Sequence, residues 1–193
     1  MLRDQALSVS GLLVEKLGGT PVKPYDLKDS FKPMEPDKGE GLYRRSLYTY
    51  WKRTGPSPAM MALDASKRDV CRVQRGLTSS PLQTLVLMNG PQFVEASRAI
   101  AESLLVDFDK ANDRLASLFR RLTSRNPTDD EMQVLAELYE SQRKRFAEDA
   151  NEAEAYLEVG FKKLADGLNK TELAALSSVA NALFGLDEVM MKR

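Results

Sequence analysis

The chain has 193 residues, 42% apolar and 29% charged, a balance too polar for a membrane protein and too apolar for a disordered one. Its 28 basic and 28 acidic side chains cancel, histidine is absent, and Cys71 is the single cysteine. Ser-His-Asp triads, Cys-His dyads, histidine-bearing zinc, di-iron and haem sites, four-cysteine metal sites and internal disulfides are therefore excluded within this chain.

Residues 2–17 read as a helix: Ala6, Val9, Leu13 and Leu17 recur at three- and four-residue steps, and Gly18-Gly19 ends the run. Residues 20–41 hold Pro21, Pro24, Pro33 and Pro36, which remove backbone donors and fix φ, so the expectation is a long surface loop. In residues 43–53, Tyr43, Leu47, Tyr50 and Trp51 share one helical face, which predicts a helix with these four inward. The same aromatics would also suit a strand. Gly55-Pro56-Ser57-Pro58 stops this element, and residues 59–79 read as irregular, with a short extended piece over residues 70–73.

The second half is more regular. Ser80-Pro81-Leu82-Gln83 combines a serine N-cap, proline at the first helical position and glutamine three residues on, a helix start that runs to Asn89-Gly90. Pro91 opens the next helix, with Phe93, Ala96, Ile100 and Leu104 as its core stripe. A helix over residues 109–124 carries Leu115, Leu118, Phe119 and Leu122. Thr128-Asp129-Asp130-Glu131 is a second capping box, launching Met132, Leu135, Tyr139 and Phe146. A shorter helix is predicted over residues 151–159, and Asn169 with Glu172 caps one that buries Leu173, Leu176, Ala180, Leu183 and Phe184. The fold class expected is mainly α: an irregular multi-helix domain with a long proline-rich surface loop and little or no sheet. Residues 1–193 read as one domain. Within it, residues 1–80 form a basic, loop-rich lobe of net charge +5 and residues 81–193 an acidic, helical lobe of −5.

The N-terminal Met1-Leu2-Arg3-Asp4-Gln5 lacks the layout of a signal peptide, and no apolar run reaches the length of a membrane span. The expectation from these residues alone is a soluble chain without a transmembrane segment.

The window most able to carry binding chemistry is residues 44–75. It holds Arg44, Arg45, Lys52, Arg53, Lys67, Arg68, Arg72 and Arg75 against Asp64 and Asp69, interleaved with Tyr48, Tyr50 and Trp51. Guanidinium forks match sulfate, phosphate and carboxylate, and aromatic rings stack on sugars and bases. Arg44, Arg45, Tyr48, Lys52, Arg53, Arg68, Arg72 and Arg75 are therefore the candidate residues for a polyanion or an acidic partner. The competing reading is that the aromatics are core and the cations pair with the acidic second half. If residues 43–53 are helical, Arg44, Tyr48 and Lys52 lie together on the outer face. The balanced overall charge argues against nucleic acid as the partner.

Cys71 reads as a buried, inert thiol. Asp107, Asp109 and Asp113 lack the spacing and glycine of a calcium loop and read as helix-terminal charge. Asp129, Asp130 and Glu131 complement a helix dipole. Asn169-Lys170-Thr171 matches a glycosylation acceptor, a short and weakly specific pattern, and Gly39-Glu40-Gly41 lacks the rest of a phosphate-loop fingerprint. No catalytic and no metal-ligating residues are assigned.

Several stretches together carry a resemblance. They are residues 3–13 (RDQALSVSGLL), 18–25 (GGTPVKPY), 43–53 (YRRSLYTYWKR), 78–89 (TSSPLQTLVLMN), 91–96 (PQFVEA) and 179–184 (VANALF). In this order they resemble the C-terminal domain of unknown function of planctomycete cytochrome-c-associated proteins, also found in Verrucomicrobia and Bacteroidetes. The family domain begins further upstream, so the resemblance implies that this chain is the C-terminal part of a larger protein, with the upstream domain as one partner. It implies a cell-envelope or periplasmic setting beside a haem-c module bearing Cys-x-x-Cys-His, a motif these residues lack, so haem c would belong to that upstream module. The family has no agreed catalytic residues to carry over. Where relatives often show Asn-Asp-Pro, this chain has Asn89-Gly90-Pro91, which implies a weaker cap on the following helix. The function expected is a non-catalytic structural or partner-docking module, with acidic polysaccharide or an envelope protein as partner. The alternative is part of an envelope enzyme acting on complex carbohydrate or in redox chemistry, with its site completed by upstream residues.

Overall fold

The computed structural model describes residues 1–24, 35–52, 56–66, 71, 73, 76, 78 and 80–190. Two compact units are present: Met1 with Leu12–Val86, and Leu2–Gly11 with Leu87–Arg193. The described residues are mainly helical and contain no sheet.

The second unit contains α1 (Leu2–Val9), α4 (Pro91–Asp107), α5 (Ala111–Thr123), α6 (Asp129–Glu148), α7 (Ala150–Leu157), α8 (Lys170–Phe184) and α9 (Asp187–Met190); α3 (Pro81–Asn89) leads into it from the first unit, which also holds α2 (Pro58–Ala62). α8 is the hub and packs against α4, α5, α6, α7 and α9. Its sequence explains this: Ala174, Ala175, Ser177 and Ala180 are small enough for neighbouring backbones to approach, and all four are fully buried with Leu173, Leu176 and Val179. Phe184 meets Phe93 of α4 edge-to-face, with ring centroids 6.3 Å apart. The predicted stripes of α4 and α5 are all buried, as are Leu135, Tyr139 and Phe146 of α6.

The helix starts form where their local chemistry places them. Ser80 Oγ accepts the Gln83 amide and the Ser80 amide donates to Gln83 Oε1, each at 3.4 Å. Asn169 Oδ1 accepts the amides of Thr171 and Glu172 at 3.0 and 3.2 Å. Gly90 gives α4 no side-chain cap. At α6 the Thr128–Glu131 box is complete, and Arg125 grips Glu131 through two bonds of 2.6 and 2.8 Å. That guanidinium, followed by the Thr128 amide, holds the Glu131 carboxyl down to about 2. A depressed carboxyl stabilises the fold above its ordinary value and loses that contribution on acidification. We expect the first turn of α6 to loosen between about pH 4.5 and about pH 2, read as faster exchange of the Thr128 amide; a Glu131 carboxyl titrating near 4.5 by NMR would contradict this.

Three expectations are corrected. The first helix ends at Val9, not residue 17, because Gly11 adopts φ +71 and breaks the ladder; Leu17 is 82% exposed. Residues 43–52 are not a helix. They form two short 3-10 turns, Gly39–Tyr43 and Ser46–Tyr48, joined by extended backbone that bridges Arg44 to Val14 and Thr49 to Val22. Cys71 is exposed rather than buried. The proline-rich segment is anchored at its start, where Val22 and Pro24 are buried, and residues 25–34 lie outside the described residues. The extended piece expected over residues 70–73 includes Val70 and Arg72, also outside them.

Candidate functional site

In the first unit, two of the segments that carry the resemblance lie side by side. The Val14 amide donates to the Tyr43 carbonyl at 3.0 Å, the Val22 amide to the Tyr48 carbonyl at 2.8 Å, and the Tyr50 amide to the Val22 carbonyl at 2.7 Å. Between these bonds residues 15–21 bulge outward and are exposed, turning through Gly18 and Gly19 at φ +71 and +88. Both glycines occupy the left-handed region, where a side chain would be strained.

Arg44 fills the inside of this bulge. It is 5% exposed, and its guanidinium donates to the carbonyls of Thr20 at 3.2 Å and Lys16 at 2.9 Å, and also to that of Gly18. The Tyr48 ring lies 4.1 Å from the guanidinium carbon, and the Tyr48 hydroxyl accepts the Gly18 amide at 3.0 Å. A tight turn leaves carbonyls without helix or sheet partners, and a guanidinium has enough donors, in one plane, to satisfy several at once. Burying that charge is costly without such partners, and the ring face adds further compensation.

The eight candidate residues therefore divide. Arg44 and Lys52 are buried, and Tyr48 is partly buried, built into the clamp. Arg45 is half-exposed, 3.6 Å from Glu15. Arg53, Arg68, Arg72 and Arg75 lie outside the described residues. The expected sidedness is inverted: Leu47 and Tyr50 are 74% and 40% exposed, while Arg44, Thr49 and Lys52 face inward. Helical spacing misassigned the faces because this backbone is two 3-10 turns linked by extended, bridged residues rather than one α-helix.

A second arrangement in this unit centres on Asp64, at φ +56 just after α2. Its Oδ2 accepts the Thr78 amide and the Thr78 hydroxyl, each at 2.7 Å, and the Gln83 side-chain amide at 2.9 Å. The Thr78 hydroxyl, then the Thr78 amide, pulls the Asp64 carboxyl below its usual range, so these bonds persist until the pH falls well into the acid region.

In the second unit α4 carries a row that sequence reasoning missed. Glu95, Arg98 and Glu102 are all buried and bond to the end of α7 and the irregular segment after it. Glu95 Oε1 accepts the amides of Phe161 at 2.8 Å and Lys162; Arg98 donates to the carbonyls of Leu157 and Lys162; Glu102 pairs with the Lys162 ammonium and lies 3.7 Å from Arg98 Nε. Three charges inside an otherwise apolar, alanine-rich helix were the available signal. A cavity of about 270 Å³ beside this row is lined by Arg98, Glu154, Leu157, Glu158, Lys162, Leu164 and Lys170. Lys162 is held by Glu102 and Lys170 by Glu154 at 2.6 Å, so its cations are already matched by carboxylates. Among the described residues no group of histidine, cysteine and acidic side chains has the makings of a metal site, and no helix is long and apolar enough to cross a membrane.

The model of a family described as PSD1, protein of unknown function (DUF1553), matches residues 1–139. The match takes in both of the arrangements in the first unit and the charged row of α4; the closing residues 179–184 lie beyond it. No curated protein and no solved structure matches the chain.

Proposed function

The chain belongs to the PSD1 family of proteins of unknown function, and from that premise we propose that it is a non-catalytic structural and partner-docking module of a cell-envelope protein associated with haem-c modules. The envelope setting and the haem-c neighbour rest on the resemblance of its sequence segments. The docking role is supported by one observation above all: the buried Arg44, with Tyr48, holds residues 15–21 in a fixed, solvent-facing shape. A buried cation that shapes an exposed turn suits recognition, because a loop ordered in advance loses little entropy when it binds.

The partner is an acidic polysaccharide. Arg45 supplies exposed charge beside the clamp, and Arg53, Arg68, Arg72 and Arg75 supply the rest of the basic window. Arg44 is excluded from direct contact because it is buried and its two terminal guanidinium nitrogens donate to the turn. The test is titration with heparin and with neutral dextran across a salt series. We expect heparin binding that weakens steeply with salt, and an Arg68→Gln/Arg72→Gln/Arg75→Gln variant about tenfold weaker at low salt, a loss of only a fraction of a kcal/mol for each cation removed. Equal affinity for both polymers, or for parent and variant, would refute the reading.

A further inference from the structure

We propose that Glu15 sets ligand choice on this docking face: as the resident counter-ion of Arg45, it turns away polymers of sparse carboxylate charge and admits a polysaccharide bearing closely spaced sulfates. The inference rests on the docking reading above. Val14 and Arg44 pair as a parallel bridge, with the Val14 amide donating to the Tyr43 carbonyl at 3.0 Å. Side chains alternate along extended backbone, so the residues that follow these two fall together on the opposite face. Arg44 turns inward, and Glu15 and Arg45 come side by side outside it, their side chains 73% and 50% exposed and 3.6 Å apart.

Both partners stand on fixed backbone. Glu15 sits between the Val14 amide, bonded to Tyr43, and the Lys16 carbonyl, which accepts from the Arg44 guanidinium at 2.9 Å. The Arg45 carbonyl accepts the Tyr48 amide at 2.9 Å. The Glu15 carboxylate is therefore tethered beside the Arg45 guanidinium at high effective concentration. Among the described cations of the first unit, Arg44 and Lys52 are buried and Lys23 lies 3.7 Å from Asp37, so the availability of Arg45 weighs on any anion that docks here. At 3.6 Å the Glu15–Arg45 pair attracts by charge without a hydrogen bond, and an exposed pair of this kind is weak enough to exchange. A single carboxylate on a polymer offers Arg45 what Glu15 already supplies, and lacks the tether. Closely spaced sulfates offer more: one forks across the guanidinium donors while its neighbours on the same chain keep the polymer in place.

The test compares heparin with polygalacturonate, a polymer of carboxylated sugars without sulfate, by calorimetric titration of the full chain at low salt. The parent should bind heparin the more tightly. Glu15→Gln should tighten polygalacturonate by roughly threefold to fivefold and heparin by less than about twofold, in keeping with the small worth of an exposed ion pair. Glu40→Gln removes another exposed carboxylate of the same unit; as the control for overall charge, it should leave the ratio of the two affinities at the parent value. In an Arg45→Gln background the effect of Glu15→Gln should vanish, since the counter-ion then has no guanidinium to cover. Should Glu15→Gln lose the circular dichroism of the parent, Glu15→Ala carries the same test. An unshifted ratio in Glu15→Gln, an equal shift in Glu40→Gln, or a shift that survives in the Arg45→Gln background overturns the role of Glu15 and leaves the docking reading standing. Polygalacturonate that binds neither the parent nor Glu15→Gln does the same. No heparin binding by the parent at low salt overturns the docking reading, and the role of Glu15 with it.

Discussion

Replacing Gly160 with alanine is expected to destabilise the second unit by about 3 kcal/mol, from backbone strain plus the loss of charge-assisted hydrogen bonds. Gly160 sits at φ +105, where a side chain is strained whatever the space around it. The space is also taken: a Cβ there would lie 2.7 Å from Glu95 Cδ, 2.8 Å from its Cβ and 2.9 Å from its Cγ. Glu95 would have to withdraw from the amides of Phe161 and Lys162, leaving a buried carboxylate short of donors. For a chain of this size the melting temperature should fall by roughly 10 °C, followed by circular dichroism and checked by urea denaturation. Gly167→Ala is the control. Gly167 also has a positive φ, +83, but nothing lies within 4 Å of its Cβ position, so the strain acts alone and the cost should be about 1 kcal/mol. Equal losses at the two glycines would mean that Glu95 moves aside freely and does not hold the segment after α7.

Arg98→Met should cost about 3 to 5 kcal/mol, the range for removing one partner of a buried charge pair. Methionine keeps most of the length and loses every donor. The carbonyls of Leu157 and Lys162 would lose the guanidinium, and Glu102 would keep Lys162 and the Ala165 amide. The cost comes from what is orphaned rather than from the net worth of the pair. Arg98→Met combined with Glu102→Leu should therefore lose clearly less than the two single losses added, a coupling readable in urea midpoints. Additive losses would show that Arg98 and Glu102 do not act as one unit. With Gly160, these residues tie the segment after α7 to α4 by polar means, where an apolar stripe would normally serve.

The helices from α3 to α8 are legible in the amino-acid sequence to within a few residues, while α9 is not. Ser80 with Gln83, Thr128 with Glu131 and Asn169 with its own following amides are contacts over two or three residues, so their chemistry is complete within a few letters. The stripes on α4, α5 and α8 follow from the helical period, which needs no knowledge of the partner surface. The rest depends on contacts between distant parts of the chain. Whether Arg44 faces solvent depends on carbonyls 24 to 28 residues away, which assemble only when Gly18 and Gly19 turn the chain back over it. The reading of Tyr43, Leu47, Tyr50 and Trp51 as an inward face failed for the same reason: bonds between this stretch and Val14 and Val22 hold it as short 3-10 turns linked by extended residues, which turn Arg44, Thr49 and Lys52 inward instead. Asp64 and Thr78 lie 14 residues apart, and Glu95 lies 66 residues from Phe161. A charge is legible as a charge in any sequence. Whether it is spent on the protein's own backbone or left for a partner depends on which distant polar groups folding brings within 3 Å of it.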